Sequence, residues 1–159
     1  VTKRRASLHL WLNLSLPIEF EISNFVLTPP INVVCGILVD ESGRVLACLR
    51  PPGKHLADKW EFPGGKVEPG ESPEAALIRE LREELEVDVE ILRPLTPVIW
   101  DYGRGPIRLI PFVCRITNGE PKALDHAELR WVTAGSLHGL DWAAADGPIL
   151  EEWLSPRTN

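Results

Sequence analysis

Methionine is absent from the 159 residues, tyrosine occurs once and cysteine three times. No apolar run reaches the ~20 residues that a bilayer-spanning helix needs. Cys35, Cys48 and Cys114 are odd in number and widely spaced, so neither a disulfide framework nor a paired-cysteine zinc site is expected. Each sits in an apolar run, the setting of a buried thiol in a reducing compartment, and a cytoplasmic location is the expectation. Excess positive charge is also missing: 17 Lys and Arg face 23 Asp and Glu, a net charge of −6. That argues against a binder of nucleic-acid backbones. It leaves room for a small phosphate ligand reaching an acidic site through a metal ion.

The stretch KRRASLHLWLNLSLPI (residues 3–18) has the basic start and apolar middle of a weak secretion signal. His9 and Asn13 interrupt the apolar part and no small-x-small cleavage site follows, so export is not expected. Thr28-Pro29-Pro30 reads as a boundary. Residues 1–30 are expected as an N-terminal extension, either disordered or read from ahead of the true start, and residues 31–159 as one domain.

Within that domain, Ile31–Asp40 reads as a buried strand, Glu41–Gly43 as a turn and Arg44–Arg50 as the returning strand of a hairpin. Pro51–Lys59 is a loop. Ser72 is a candidate N-cap with Pro73 at the first helical position, and a helix is expected to about Leu85. Strands are expected at Val87–Leu92, Thr96–Gly103, Ile107–Ile116 and Glu128–Thr133, the third a central strand in which Pro111 suggests an edge or bulge. A last helix is expected from about Pro148 to Leu154. Strands outnumber helices and hairpins precede the first helix, which favours a mixed sheet with helices packed on it.

The first helix poses the central question. At about 100° per residue, Glu80, Glu83 and Glu84 gather within roughly a third of its circumference, beside an apolar arc of Leu77, Ile78, Leu81 and Leu85. Ala76, one turn back, is expected to leave open space above them. Such a patch could be an ordinary solvated face. Like charges three and four residues apart nevertheless cost a few tenths of a kcal/mol per pair, and carboxylates near a helix C-terminus oppose its dipole. Divalent cations would remove the penalty, and carboxylate oxygens suit Mg²⁺ or Mn²⁺.

Upstream, Gly65 is followed after five residues by Glu71 and, after seven more, by Arg79-Glu80-Leu81-Arg82-Glu83-Glu84-Leu85-Glu86-Val87. This resembles the Nudix box, G-x5-E-x7-R-E-U-x-E-E-x-G-U with U aliphatic, at every position except Glu86, where the family has glycine. The resemblance implies an α+β fold of α/β/α sandwich type, a mixed β-sheet flanked by helices with a loop–helix–loop catalytic motif. It implies that the Gly64 carbonyl, Glu80, Glu83 and Glu84 hold Mg²⁺ or Mn²⁺, and that Glu71 and Arg79 pair to fix loop against helix, with Gly65 at the turn. A glutamate at the helix C-cap is expected to cost about 1 kcal/mol and to spare the chemistry.

The flanks KWEFPGGKVE (residues 59–68) and LRWVTAGSLHGLDWAAADGPILEEWL (residues 129–154) resemble the MutT group of that family. By that resemblance Asp146 reads the base edge, and its other reading is an N-cap for the last helix. Asp125 supplies a further metal ligand or base, with Glu128 as the alternative. Arg50 and His55 match positions near the phosphates and sugar, although each could be plain surface. Trp60, Phe62, Trp131 and Trp142 read as core. The implied reaction converts a nucleoside triphosphate and water to the monophosphate and pyrophosphate. Glu80 or Asp125 would take the proton, Glu83 would serve the metal, and 8-oxo-dGTP would be the substrate in a nucleotide-sanitising role linked to DNA repair. CTP or a modified pyrimidine nucleotide is the alternative, and a non-catalytic nucleotide sensor is the rival class. The partner implied is a small nucleotide, with no nucleic-acid polymer and no membrane, for a monomer or homodimer.

Overall fold

A computed structural model of the chain describes residues 28–156 and the backbone of residues 9–10 and 18–19. The expectation of a disordered or over-extended N-terminus lies otherwise outside the described residues. β1 (His9–Leu10) and β2 (Ile18–Glu19) form a two-residue antiparallel ladder. The strands that follow are β3 (Ile31–Leu38), β4 (Val45–Leu49), β5 (Trp60–Glu61) and β6 (Gly64–Lys66). Helix α1 (Pro73–Leu85) comes next, then β7 (Asp88–Pro94), β8 (Val98–Asp101), β9 (Pro106–Asn118) and β10 (Glu128–Val132). Two 3-10 turns, Ala134–Gly139 and Ala144–Asp146, lead into α2 (Gly147–Leu154).

Two sheets form the middle layer. One has the order β6-β3-β9-β7, with β8 also paired to β9, and the other has the order β10-β4-β5. The β3–β9 pair is parallel and the remaining ladders are antiparallel, so the sheet is mixed, as expected. Alternate residues of β3 and β4 serve opposite faces. Val34, Leu38, Leu46 and Cys48 pack with Ala76, Leu77, Leu81 and Leu85 of α1. Cys35, Ile37, Val45 and Ala47 pack with Ile149 and Leu150 of α2. Burial on both faces explains why β3 and β4 read as unbroken apolar runs. It also explains the three free, buried thiols. No described helix is long and apolar enough to cross a membrane.

One expectation needs correction. β3 and β4 are not hairpin partners: they share one bridge, Val39–Val45, and then enter different sheets. The edges of β3 are already taken by β9 and, over Val33–Cys35, by β6. Pro111 lies in β9, a central strand. Its carbonyl accepts from the Leu95 N–H, so its nitrogen points to the same side. There β7 ends at Pro94 and β8 begins only at Val98, so the missing N–H falls in a gap of the ladder.

Candidate active site

The α1 cap forms as its residues dictate. The Ser72 hydroxyl accepts from the Ala75 N–H at 3.1 Å, with Pro73 opening the first turn. At the other end Glu86 takes a left-handed conformation, φ 55° and ψ 40°, which costs a non-glycine residue about 1–2 kcal/mol. The strand-to-strand segment after β9 closes over this end. The Lys122 N–H donates to the Leu85 carbonyl, the Leu124 N–H to that of Glu84, and the Lys122 ammonium pairs with the Glu86 carboxylate. Two of the orphan carbonyls of the helix end, those of Glu84 and Leu85, are thereby satisfied without a glycine.

Arg79 supplies the cation that the acidic patch lacks in lysine. Its guanidinium donates from Nε to Glu71 Oε1 at 2.8 Å and from Nη2 to Glu71 Oε2 at 3.0 Å and the Lys66 carbonyl at 3.1 Å. Nη1 reaches Glu80 at 2.8 Å and Glu83 at 3.3 Å. The Glu71 acid is strengthened by Arg79 and by the Glu68 N–H, and the Arg79 guanidinium is held more firmly protonated by Glu71 and Glu80. Loop and helix are thus clamped together, with Glu83 on the solvent side, its side chain 59% exposed.

The two glycines of β6 fit backbone against side chain. A Cβ on Gly65 would stand 2.3 Å from the Glu80 carboxyl carbon, and one on Gly64 would stand 2.0 Å from the Val34 carbonyl oxygen. Only glycine lets Glu80 lie flat against β6 while β6 pairs with β3.

Glu84 turns inward. Its Oε2 is buried without a hydrogen-bond partner. Burial raises its pKa to about 7; the Glu80, Glu61 and Asp125 carboxylates push the same way and the His126 ring opposes them. Beside it lies a network that sequence reasoning missed. Glu61 accepts both oxygens' worth of bonds from Arg50 Nη1, at 2.9 and 3.1 Å, and meets His126 Nε2 at 3.1 Å. The His126 side chain is 4% exposed and its Nδ1 is buried without a partner. The available signals were Glu61 inside KWEFPGG and the dipeptide Asp125-His126, neither of which names its partner. Asp125 itself is exposed and lies 3.7 Å from the Lys54 ammonium. Glu128 is bonded to Arg130.

Asp146 is drawn in from the far end of the chain. The segment before it runs along β5: the Trp60 N–H donates to the Asp141 carbonyl and the Ala143 N–H to that of Trp60. This delivers Asp146 Oδ1 to the Phe62 N–H at 2.9 Å. The residue is 5% exposed, and burial pushes its pKa up to about 8; Glu61 adds to this, and Arg50 and the Phe62 N–H oppose it. The N-cap reading of Asp146 is overturned, because its backbone is helical and its side chain makes no cap bond. Arg50 Nε donates to the His55 carbonyl at 2.7 Å, and the exposed His55 ring stands over Tyr102. Trp60 and Phe62 are buried core residues, with Trp131 and Trp142 partly buried against the core. Ala76 is fully buried and leaves no open space above the patch.

Arg50 thus bonds Glu61, whose charge reaches Glu84 and Asp146, while Glu80 and Asp125 also act on Glu84 and Glu83 lies outside with Arg79. Among the described residues no three His, Cys, Asp or Glu side chains converge closely enough to hold a metal ion as they stand. The donors nonetheless suit a hard divalent cation. They are carboxylate oxygens, one of them is buried and unpartnered, and the surrounding carboxylates need positive charge.

The NUDIX domain family model matches residues 29–153. A Mycobacterium tuberculosis protein named, provisionally, 8-oxo-dGTP diphosphatase 2 is 46% identical over 116 residues, covering 72% of this chain and 81% of its own. An Escherichia coli CTP pyrophosphohydrolase is 34% identical over 124 residues, covering 78% and 92%. Among solved structures, that of the E. coli ORF135 protein matches with a TM-score of 0.68 at 33% identity, covering 78% of this chain and 88% of that one.

Proposed function

The chain belongs to the NUDIX domain family, and from that premise we propose that it is a hydrolase converting a nucleoside triphosphate and water to the monophosphate and pyrophosphate, with 8-oxo-dGTP as the substrate. The observation that carries this reading is the inward-turned Glu84, whose buried oxygen lacks a partner amid the Glu80, Glu61 and Asp125 carboxylates. Such an arrangement is unfavourable in the protein alone and becomes favourable with a cation present. Bound Mg²⁺ or Mn²⁺ would neutralise the triphosphate and make water a better nucleophile near neutral pH.

The chain's own residues divide the remaining work. Glu80, Glu83, Glu84 and the Gly64 carbonyl would hold the cation, with Asp125 as a further ligand. Glu80 or Asp125 accepts the proton of the attacking water. Arg79 bonds Glu71 through two nitrogens and Glu80 and Glu83 through the third, and so positions both carboxylates while clamping the loop. Arg50 and His55 face the substrate's phosphate and sugar end, with Arg50 aligned by Glu61.

Asp146 reads the base. A carboxyl with a pKa of about 8 is protonated at neutral pH and offers one donor beside one acceptor. That pattern matches O6 next to N1–H on oxidised guanine. It also matches N3 next to the amino group of cytosine, and the relative named as a CTP pyrophosphohydrolase makes CTP the second reading. The free thiols Cys35, Cys48 and Cys114 fit a cytoplasmic setting.

Pyrophosphate release with Mg²⁺ or Mn²⁺, measured over a panel of oxidised and plain triphosphates, tests the proposal. It expects the highest kcat/KM for 8-oxo-dGTP. A preference for CTP would select the second reading, and no release from any nucleotide would defeat both.

A further inference from the structure

The proposed reaction gives His126 no task. Its side chain is 4% exposed, and its Nδ1 is buried without a partner among the described residues. The β10-β4-β5 sheet brings it to its place. Glu128 of β10 pairs with Leu49 of β4, and the Ala127 N–H donates to the Leu49 carbonyl at 2.8 Å. On the other side of β4, Glu61 of β5 pairs with Cys48, and the Arg50 N–H donates to the Lys59 carbonyl at 2.9 Å. Arg50, Glu61 and His126 thus come from three neighbouring strands or their ends, and their side chains meet at the Glu61 carboxylate.

Both Glu61 oxygens accept from a single Arg50 nitrogen, Nη1, at 2.9 and 3.1 Å. A guanidinium that uses two nitrogens fixes a carboxylate in its own plane, whereas one that uses a single nitrogen lets the carboxylate pivot. The second donor is His126 Nε2, at 3.1 Å. Carboxylate oxygens accept, so Nε2 carries the hydrogen and Nδ1 is left as a bare acceptor. A buried acceptor without a donor costs stability. A phenyl ring would fill the same space without that cost, so packing alone does not call for a histidine. Arg50 Nε is engaged by the His55 carbonyl at 2.7 Å. None of these bonds uses Nη2, which stays available to a ligand.

We propose that His126 is a positioning residue for phosphate binding: it fixes Glu61, and through Glu61 the Arg50 guanidinium, so that Arg50 meets the substrate's phosphates already oriented. A long side chain held in advance loses less freedom on binding. The histidine gives up some stability and gains a prepared arginine. The inference rests on the nucleotide reading of the site.

The test compares the full chain with His126→Phe, His126→Gln, Arg50→Ala and the His126→Phe/Arg50→Ala pair. Binding of inorganic triphosphate with Mn²⁺ is followed by calorimetry, KM and kcat by pyrophosphate release from 8-oxo-dGTP and CTP with Mg²⁺, and stability by urea unfolding. His126→Phe is expected to weaken triphosphate binding about tenfold and to raise KM by a similar factor, with kcat within about threefold. Its urea midpoint is expected to equal or exceed that of the unaltered chain. His126→Gln can still donate to Glu61 from its amide, and is expected to bind within about threefold of the unaltered chain. In the Arg50→Ala background, His126→Phe is expected to change affinity by less than about twofold, because its effect runs through Arg50. An undiminished loss in that background would overturn the proposal, since the ring would then act through another group such as Asp125. So would equal losses in Phe and Gln, unchanged affinity in Phe, or a lowered urea midpoint shared by His126→Phe and His126→Leu, which would make the ring structural. The expected binding pattern without pyrophosphate release would leave the positioning role standing and defeat the hydrolase reading. Release with an unchanged KM in His126→Phe would do the reverse.

Discussion

Glu71 and Asp146 both accept a backbone N–H, yet their proton affinities move in opposite directions. Glu71 is partly buried, clasped by the Arg79 guanidinium, and its pKa is lowered. Asp146 lies in the dry interior, where the bond from the Phe62 N–H does not offset burial, and its pKa rises to about 8. Glu84 follows Asp146: it too is raised by burial, and neighbouring carboxylates add to the effect. A single hydrogen bond is worth about 1 kcal/mol net, less than desolvation of a carboxylate. The nearby cation makes the difference. The clamp between Glu71 and α1 has its own positive charge in Arg79, whereas Glu84 Oε2 in the inner cluster is buried without a hydrogen-bond partner.

That contrast can be broken most forcefully at Glu83. The side chain is exposed, so Glu83→Gln is expected to leave the melting temperature within a degree or two while turnover falls roughly a hundredfold or more. Unchanged turnover would place Glu83 with the clamp alone. Gly65→Ala comes next. The new Cβ would meet the movable end of Glu80, not backbone, so the fold is expected to adjust cheaply while turnover drops about tenfold or more. A large loss of stability without loss of turnover would contradict the placement of Glu80.

Asp146 carries a pH signature. Its folded pKa lies above its unfolded value, so between about pH 4 and pH 8 the folded chain holds a proton that the unfolded chain has released. Stability from this group is therefore greatest below the unfolded pKa and declines as pH rises towards 8. Asp146→Asn is expected to flatten the denaturation midpoint against pH over that window, and to be more stable than the unaltered chain at pH 8 by about 1 kcal/mol or more. An unaltered slope would remove the proton from Asp146. The smallest effect is expected at Glu86. Glu86→Gly relieves a left-handed glutamate at the loss of an exposed ion pair to Lys122, and a gain of about 1 kcal/mol is expected from urea unfolding. A loss would mean that the pair outweighs the backbone.

What could be read beforehand was local. Ser72, Pro73 and the spacing of Leu77, Leu81 and Leu85 define α1 to the residue, because caps and helical periodicity act within a few positions. Glu86 could be marked as strained from its place after the last turn. The β3–β4 hairpin misled because edge occupancy is a property of the whole sheet: β6 and β9 had already claimed β3. Pro111 was readable as an irregularity in a central strand, and the break between β7 and β8 is where it is accommodated. The cap, one of two readings of Asp146, was suggested by its place before a helix, whereas its partner is the Phe62 N–H, 84 positions earlier. The Arg50–Glu61–His126 network and the Tyr102–His55 contact join segments that no periodicity connects.

The most direct test is calorimetric titration of Mn²⁺ into the full chain and into Glu84→Gln, each with and without a nucleoside triphosphate. The account predicts uptake by the unaltered chain, strengthened by nucleotide, and at least a tenfold loss of Mn²⁺ affinity in Glu84→Gln, with the variant as stable as the parent or more so in the absence of metal. Absence of uptake by the folded parent even with nucleotide, or equal affinity in the variant, would contradict it.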